Sequence, residues 1–383
     1  MIFRTLRFAT VVFLAISNSS HPPAVEWYVD ASVADSGDGR SWETAFQTIQ
    51  EGIDAAFEAD TVIVAEGTYI ENVRFEGKKI VLCSRDPLSP EVVAGTIIDG
   101  DAAGPVVRFS ATEDSSCVLS GLTLRNGDAA NGGGVCGGTA DSATRATIRH
   151  NVIVNNQATP EWPHGHGGGL AFCDGTIRNN TVCGNAGLPA RGLAYCNGTI
   201  QNCIIWGSIV LPGGLIHNSS EPMYSCIQDW AEGGEGNIAE DPGFVDADGP
   251  DDDPLTYDDN DCHLRATSPC IDAGRNEGWM RGTVDLDGNP CIWRGKSSVT
   301  VDIGAYEYGS FPFRLVGVTK KGGGGLELSW NSRPGDTYII ESCLDIASGV
   351  WNVEATVPSQ GESTSLRDSE TAFPRKFYRI AIE

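Results

Sequence analysis

Two arginines occupy the same place in a recurring phrase of the sequence, and together they could bind an anion. Arg149 and Arg178 each follow a Thr-Ile pair, at 147–148 and 176–177. A guanidinium presents a planar fork of N–H donors that matches a carboxylate, so two of them side by side would bind an acidic ligand. The alternative is a solvated pair whose stems only cover apolar surface.

Three histidines and a tryptophan close to these arginines could take part in proton transfer or ligand stacking. His150 directly follows the first arginine, whereas Trp162, His164 and His166 lie in an inserted stretch before the second. Histidine titrates near neutral pH and can act as a general base, and an indole can stack on a sugar ring. The two later histidines could also bind a metal, but they lack the third protein ligand of a zinc site. The alternative is a plain surface loop.

An acidic stretch from 246 to 261 contains eight aspartates. Calcium takes several oxygen ligands from such loops, and the candidate ligands are Asp248, Asp251, Asp252 and Asp253. The spacing does not match an EF-hand loop, whose glycine and final glutamate are absent. The alternative is a solvated acidic loop. Calcium is the only cofactor that the sequence suggests.

The net charge of −25 argues against partners that are themselves polyanions. A strongly acidic chain repels nucleic acid and anionic membranes, so neither is expected as a partner. A polyanionic substrate would need a local cationic patch or bridging cations.

Residues 1–24 have the pattern of a secretory signal peptide. Arg4 and Arg7 form a basic end, and the apolar run from 8 to 16 is too short to span a bilayer. The alternative is an ordinary buried first strand. We therefore expect a secreted monomer, extracellular or on a bacterial cell surface, with no membrane span in the mature chain. Loss of the two arginines would make the net charge −27 (−25 − 2).

The segments that must position the candidate residues belong to an internal repeat. Ile148, Ile177, Ile200 and Tyr224 align at steps of 29, 23 and 24 residues (177 − 148, 200 − 177, 224 − 200). Each copy contains short alternating apolar runs separated by Asn and Gly, without a helical period. Such units bury their apolar faces by stacking, which predicts a parallel β-helix with asparagines at its corners. Because alternate residues of a strand point outward, the two arginines are expected on a solvent-exposed ladder.

Twelve cysteines follow the signal, an even number that suits an oxidising compartment. Cys173 and Cys196 are 23 residues apart, and so are Cys203 and Cys226. Neighbouring strands lie about 4.8 Å apart, which a disulfide can span, so we predict two bridges between coils. The alternative is a buried ladder of free thiols that act as small hydrophobes.

A capping helix is expected before the repeat and a small sandwich after it. Apolar residues at 46, 49, 53 and 57 share one face of a helix from 42 to 57, with Ser41 as its N-cap. This helix would cover the open end of the solenoid. Short strands separated by turns predict an antiparallel β-sandwich at the end of the chain. The expected domains are a signal peptide at 1–24, an all-β right-handed parallel β-helix at 25–310 and the sandwich at 311–383.

Three groups of phrases give the mature chain a family resemblance. Trp-Tyr-Val-Asp at 27–30, together with the stretches 41–50 and 62–69, resembles the start of secreted bacterial β-helix proteins of the pectin-lyase-like superfold. The phrases within 241–308 look like a choice-of-anchor Q domain, although Cys291 stands where that family often has Arg. The strands at the C-terminus are similar to fibronectin type III-like tails.

The resemblance implies a function with carbohydrates. Related β-helix enzymes that cleave acidic sugars neutralise the substrate carboxylate on a coil face while a base removes the neighbouring proton. Arg149, Arg178 and Trp162 would then bind a polysaccharide or cell-surface glycan, with His164, His166 or His150 as the base. Such a protein would be a polysaccharide lyase acting by β-elimination, a glycoside hydrolase, or a binding protein without activity. The alternative is a non-catalytic surface or matrix protein whose coils act as a rigid spacer.

Overall fold

Three parallel sheets form the larger part of the protein, and their strands follow one another in turn along the chain. The first sheet contains Glu26–Val29, Thr61–Val64, Val81–Ser84, Val118–Ser120, Thr147–Arg149, Thr176–Arg178 and Thr199–Gln201. The second sheet contains Gly67–Ile70, Thr96–Asp99, Thr123–Arg125, Val152–Val154, Thr181–Cys183, Ile204–Trp206 and Cys226–Ile227. The third sheet contains Val73–Arg74, Val107–Arg108, Val135–Cys136, Leu170–Ala171, Ala190–Ala194 and Gly214–His217. Stacked parallel strands of this kind make a right-handed parallel β-helix, as the repeat predicts.

The computed structural model describes residues 24–85, 95–159, 166–207, 214–231, 233–247, 249–250, 260–280, 283, 285, 290–293, 299–310, 315–320, 325–332, 337–344, 350–361, 363–368 and 376–382. The chain divides into two units, one that spans 21–311 and one that contains 312–383. Within the described residues, no helix is long and apolar enough to cross a membrane.

Side-chain alternation places the core inside the coils. Ile148 pairs in register with Ile177, and both are fully buried in the cluster that fills the solenoid. Two shorter elements connect the strands of these sheets along the chain. The first follows strands of the second sheet, and the second follows a strand of the third sheet. They are the three-stranded parallel sheet of Asp128–Ala129, Gln157–Ala158 and Ala186–Gly187, and the hairpin of Gly138–Thr139 with Ser142–Ala143.

Asparagine side chains satisfy the backbone groups that turn inward at the corners. Asn151 Nδ2 donates to the carbonyl oxygen of Leu119 at 3.1 Å, and the backbone N–H of Asn151 donates to Asn180 Oδ1 at 3.0 Å. Asn156 and Asn185 form the same link at the next corner, where the backbone N–H of Asn156 donates to Oδ1 of Asn185 at 2.9 Å. These ladders hold successive coils in register, because an unpaired buried amide costs about 1–3 kcal/mol.

The N-terminal helix is shorter than the sequence predicts. It spans Ile49–Ala55, and Thr48 with Glu51 forms its capping box. Ser41 instead precedes a 3-10 turn at Trp42–Thr44 and makes no side-chain cap, and Phe57 is 76% exposed beyond the helix end. The buried face of the helix, with Ile49 and Ile53, packs into the solenoid core.

The described residues of 241–308, here called the cover segment, pack on the outer face of the second sheet. They contain a hairpin of Phe244–Asp246 with Asp261–Leu264 and a 3-10 turn at Gly278–Met280. Apolar side chains of the cover segment and outward side chains of the second sheet share one buried cluster, which includes Val152, Ile204 and Ile303. The backbone N–H of Ala305 donates to Thr181 Oγ1 at 3.2 Å. The cover segment therefore closes a face that would otherwise expose apolar residues.

The C-terminal unit is a two-sheet antiparallel β-sandwich. One sheet contains Leu315–Lys320, Leu326–Asn331 and Ser363–Asp368, and the other contains Asn352–Pro358, Thr337–Cys343 and Phe377–Ile382. Trp330 and Tyr338, both fully buried, come from different sheets and meet edge to face with their ring centroids 5.6 Å apart. The predicted sandwich is confirmed, whereas its likeness to fibronectin type III stays a prediction.

All twelve cysteines are present as thiols. Cys173 and Cys196 stack in neighbouring coils as expected, since Ala171 and Ala194, two residues before them, pair in register. Each thiol donates to the carbonyl oxygen of that alanine, at 3.5 and 3.4 Å. The equivalence of Cys203 and Cys226 is wrong: Cys226 pairs in register with Ile204, one residue off. The last coil is one residue shorter than the spacing implied, so the Cys203 thiol faces the solenoid interior while Cys226 faces the cover segment.

Candidate functional site

The two candidate arginines lie side by side at the ends of neighbouring strands in the first sheet. Arg149 pairs in register with Arg178, and both side chains point away from the core, as alternation predicts. The expected open ladder is nevertheless wrong. Trp279, from the 3-10 turn of the cover segment, lies over both guanidiniums, with Cζ of Arg178 3.8 Å and Cζ of Arg149 4.8 Å from the ring centroid. Both arginines are therefore half-buried, and Thr147 beside them is 6% exposed.

Neither guanidinium has an acidic or hydrogen-bonding partner among the described residues. The Nε atoms of Arg149 and Arg178 are buried and donate to no acceptor, and the indole Nε1 of Trp279 is likewise buried and unpaired. Each guanidinium carries a rigid fork of N–H groups that water or an acceptor normally satisfies. Three buried N–H donors without an acceptor in the described part of the chain therefore lie together, two from the guanidiniums and one from the indole.

The electrostatics of the pair are unfavourable without an anion. Burial lowers the pKa of Arg178 to about 10, and the positive charge of Arg149 adds to this effect. Burial also lowers the pKa of Arg149. Glu277 opposes the shift at Arg178 from a distance, but its own Oε1 accepts a hydrogen bond from Gln201 at 3.3 Å. An anion between the guanidiniums would offset both their repulsion and their loss of water.

His150 lies beside the arginines but is not placed to act as a base. It occupies a corner with φ of 49°, where Asn179 and Asn202 stand in the next coils. It is 5% exposed, and burial together with the charges of Arg149 and Arg178 lowers its pKa to about 3. Its Nε2 lies 3.5 Å from Sγ of Cys291, whose pKa burial raises. A neutral imidazole paired with a neutral thiol forms a buried structural hydrogen bond, not a nucleophile with its base.

Hydrogen bonds from Asn202 to the backbone of the cover segment hold that segment next to this site. Asn202 Nδ2 donates to the carbonyl oxygen of Arg275 at 3.0 Å, and the backbone N–H of Arg275 donates back to Asn202 Oδ1 at 2.8 Å. The backbone N–H of Gly304 donates to the carbonyl oxygen of Asn202 at 2.9 Å. These bonds fix the turn that carries Trp279, so the indole is held over the arginines by the same corner that forms the coil.

The structure separates the other predicted site residues from the arginine pair. His166 lies beside the third sheet, where its ring centroid is 4.9 Å from Tyr195 and 6.4 Å from Phe172. Tyr195 stacks on Phe172 at 5.3 Å and meets His217 edge-on at 5.6 Å. In this aromatic column Phe172 and Tyr195 hold equivalent positions of successive coils, one residue after the paired Ala171 and Ala194. Trp162 and His164 lie outside the described residues.

The calcium prediction also falls outside the described part of the chain, since Asp248, Asp251, Asp252 and Asp253 are not among those residues. Where side chains are described, no group of three or more His, Cys, Asp or Glu residues is arranged to hold a metal ion.

Sequence reasoning missed Trp279 and Glu277. Neither lies in the repeat, and no local pattern ties 277–279 to Arg149 across more than a hundred positions of the chain. Cys291 was visible as a departure from the choice-of-anchor Q pattern, but its contact with His150 was not.

Comparisons with known proteins add little about activity. No family model matches the chain, and no curated protein matches it. A pectate lyase is among the similar solved structures. The crystal structure of pectate lyase Pel9A aligns over 76% of this chain and 98% of its own, with 12% identity and a TM-score of 0.21. That similarity is too low to carry an argument, so the fold rests on the strands described above and the choice-of-anchor Q likeness stays a prediction.

Proposed function

We propose that this protein is a secreted carbohydrate-binding β-helix protein that holds an acidic polysaccharide through Arg149 and Arg178. The observation that supports this most is the pair of half-buried guanidiniums, adjacent in register and without an acceptor or counter-ion among the described residues. Two like charges are costly to bring together in a partly dry site. A protein retains such a pair most readily when a ligand of opposite charge occupies it for part of the time.

A carboxylate is the anion that suits this pair best. Its two oxygens match the planar fork of a guanidinium, and two forks in adjacent coils can receive carboxylates from a polymer that runs along the coil axis. Neighbouring strands are about 4.8 Å apart, the same order as the length of one sugar unit. A polyuronate therefore meets the geometry better than a compact anion does.

The net charge of −25 limits where such a polymer can bind. Most of the surface repels a polyanion, so affinity must come from the local contacts at the arginine pair. Calcium ions shared between aspartates and uronates would lower this repulsion. The aspartates of 246–261 would supply the protein ligands of such ions.

The proposal is for binding, not for cleavage. β-Elimination requires a base that can reach the proton next to the carboxylate. His150 is buried and bonded to Cys291, and His166 and His217 belong to the aromatic column beside the third sheet. Among the described residues, therefore, no histidine completes a lyase site at the arginines. The structural alternative, a rigid spacer, predicts no specific ligand there.

Titration calorimetry with oligogalacturonate tests the proposal. The matched ligand is the same oligomer with its carboxylates methylated, which keeps the sugar and removes the charge. Wild-type protein should bind the acid and not the ester. Each charge-assisted hydrogen bond contributes about 1.5–3 kcal/mol, so loss of one such bond at each arginine in the double variant Arg149→Ala with Arg178→Ala should weaken binding by a factor of about a hundred or more.

Arg108→Ala is the matched control, because Arg108 is an exposed outward arginine on the third sheet. It should leave affinity unchanged. Equal binding of acid and ester, or an unaffected double variant, would reject the arginine pair as the site. Formation of unsaturated sugar ends during the titration would show that the binding-only part of the proposal is wrong.

A further inference from the structure

Four cysteines meet in the dry space between the second sheet and the cover segment. Cys183 and Cys226 belong to strands of the second sheet, whereas Cys262 and Cys270 belong to the cover segment. All four share one buried cluster, with exposed fractions of 1%, 0%, 6% and 0% in that order. Four thiols gathered from two layers form a larger group than packing alone requires, since any small apolar residue would fill the same space.

The register of the sheet excludes a bridge between the two cysteines on the coil. The strand of Cys183 pairs with the strand Ile204–Trp206, which in turn pairs with the strand of Cys226. Cys183 lies opposite Trp206, whereas Cys226 lies opposite Ile204. Their strands are thus two positions apart in the sheet, a separation of about 10 Å at the usual strand spacing. A disulfide accepts Cα atoms no more than about 7 Å apart. Each coil thiol must therefore find its partner in the cover segment.

The contacts between the layers define the pairs. Burial and the neighbouring Cys262 thiol raise the pKa of Cys183, and the neighbouring Cys270 thiol, together with burial, raises the pKa of Cys226, which identifies the nearest thiol of each coil cysteine. Cys226 Sγ also donates to the carbonyl oxygen of Glu240 at 3.3 Å. The backbone around Cys270 is fixed, because its N–H donates to Ser268 Oγ at 3.1 Å and its carbonyl accepts from Ile303 at 3.0 Å. Each coil thiol therefore has one neighbouring thiol in the cover segment, inside the buried cluster that the two layers share.

The geometry points to two disulfides, Cys183–Cys262 and Cys226–Cys270, that fasten the cover segment to the β-helix. Each bridge forms by thiol–disulfide exchange with an oxidant that carries a disulfide, such as oxidised glutathione. Two S–H bonds break and one S–S bond forms. The two electrons and two protons pass to the oxidant, whose own disulfide becomes two thiols.

A metal site is the competing interpretation of four buried cysteines. Tetrahedral zinc would need all four sulfurs around one point. Among the described residues, however, no group of three or more potential ligands has an arrangement that could hold an ion. Two separate pairs fit the contacts better than one four-sulfur centre. This inference is independent of the proposed glycan binding.

Peptide mapping of the full chain under non-reducing conditions tests the pairing. Protein treated with oxidised glutathione is alkylated, digested and analysed by mass spectrometry. Trypsin leaves Cys183 on peptide 179–191 and Cys270 on peptide 266–275, whereas Cys226 and Cys262 share peptide 192–265. A second protease that cuts at the acidic residues within 229–261 separates the last two. The expected result is a link from 183 to 262 and another from 226 to 270.

Substitutions make the test specific. Cys183→Ser should free Cys262 for alkylation and leave the second link intact. Cys203→Ser is the matched control, since this buried thiol faces the solenoid interior, and both links should survive it. The inference is overturned if all four thiols remain alkylated after oxidation, if the four pair differently, or if the purified protein carries one zinc ion that protects them.

Discussion

Replacing His150 by asparagine should change how the stability of this protein depends on pH. Asparagine already occupies the equivalent corners at 179 and 202, with φ of 50° and 54°, so the backbone should accept it. The substitution removes a buried imidazole whose pKa is depressed from 6.5 to about 3 by burial and by the two arginines. It also removes the contact between His150 Nε2 and the Cys291 thiol.

The sign follows from proton linkage. Between pH 6.5 and about 3, the unfolded chain protonates this histidine while the folded protein does not. The unfolded state therefore binds more protons, and stability falls as the pH falls below 6.5. The loss is about 1.4 kcal/mol per pH unit, or roughly 2 kcal/mol by pH 5. Above this window the histidine is neutral in both states and contributes no pH dependence.

Two opposing effects set the expected curves. At pH 8 the wild type should be more stable than His150→Asn by about 1 kcal/mol, because the variant loses one buried hydrogen bond. At pH 5 the wild type should be less stable than the variant by about 1 kcal/mol. The two stability curves should cross near pH 6.

Urea unfolding followed by fluorescence at a series of pH values between 5 and 8 measures this difference. Carboxylates that titrate in this pH range contribute equally to the unfolding free energies of both proteins, so they drop out of the difference. Gln157→Ala is the control at an exposed position that does not titrate, and its curve should run parallel to that of the wild type. Parallel curves for wild type and His150→Asn would refute the claim that a neutral histidine is held beside two positive charges.

Three further predictions concern the framework. Asn156→Ala should cost about 3 kcal/mol, because it leaves the carbonyl of Leu124 and the N–H of Gly127 unpaired, and urea titration against the exposed-site variant Gln157→Ala measures it. Thr48→Ala should cost about 1 kcal/mol through loss of the capping box, whereas Ser41→Ala should stay within about 0.5 kcal/mol in the same thermal melts. Oxidised protein should exceed reduced protein in stability by about 3–5 kcal/mol, and the difference should vanish in Cys183→Ser with Cys226→Ser.

The sequence predicted the solenoid well, because its signal is local and repeated. Ile148 and Ile177 lie where period-two alternation puts them, and asparagines such as Asn151 occupy the expected corners. The helix limits were less predictable. Phe57 fits the helical face by spacing, yet the chain leaves the helix at Ala56 and exposes that side chain. Periodicity alone cannot locate an end that depends on which residues reach the core.

The candidate site could be predicted only in part. Alternation correctly predicted that the side chains of Arg149 and Arg178 point away from the core. They are nevertheless half-buried, because Trp279 of the cover segment packs over both guanidiniums. That packing depends on contacts such as Arg275 with Asn202, which are distant in sequence and follow no motif. The Cys203 and Cys226 pairing failed for a related reason, since a coil shortened by one residue turns every later side chain to the other face.

The central claim, that Arg149 and Arg178 bind carboxylates, is tested most directly by NMR of their Nε–H groups during titration with oligogalacturonate. Both Nε atoms are buried and unpaired in the ligand-free protein, and Arg149→Lys and Arg178→Lys assign their signals. Both signals should shift together, saturate with the acidic ligand and stay unchanged with the methyl ester. If the ligand binds while both signals stay unchanged, the acidic glycan lies elsewhere and the claim is contradicted.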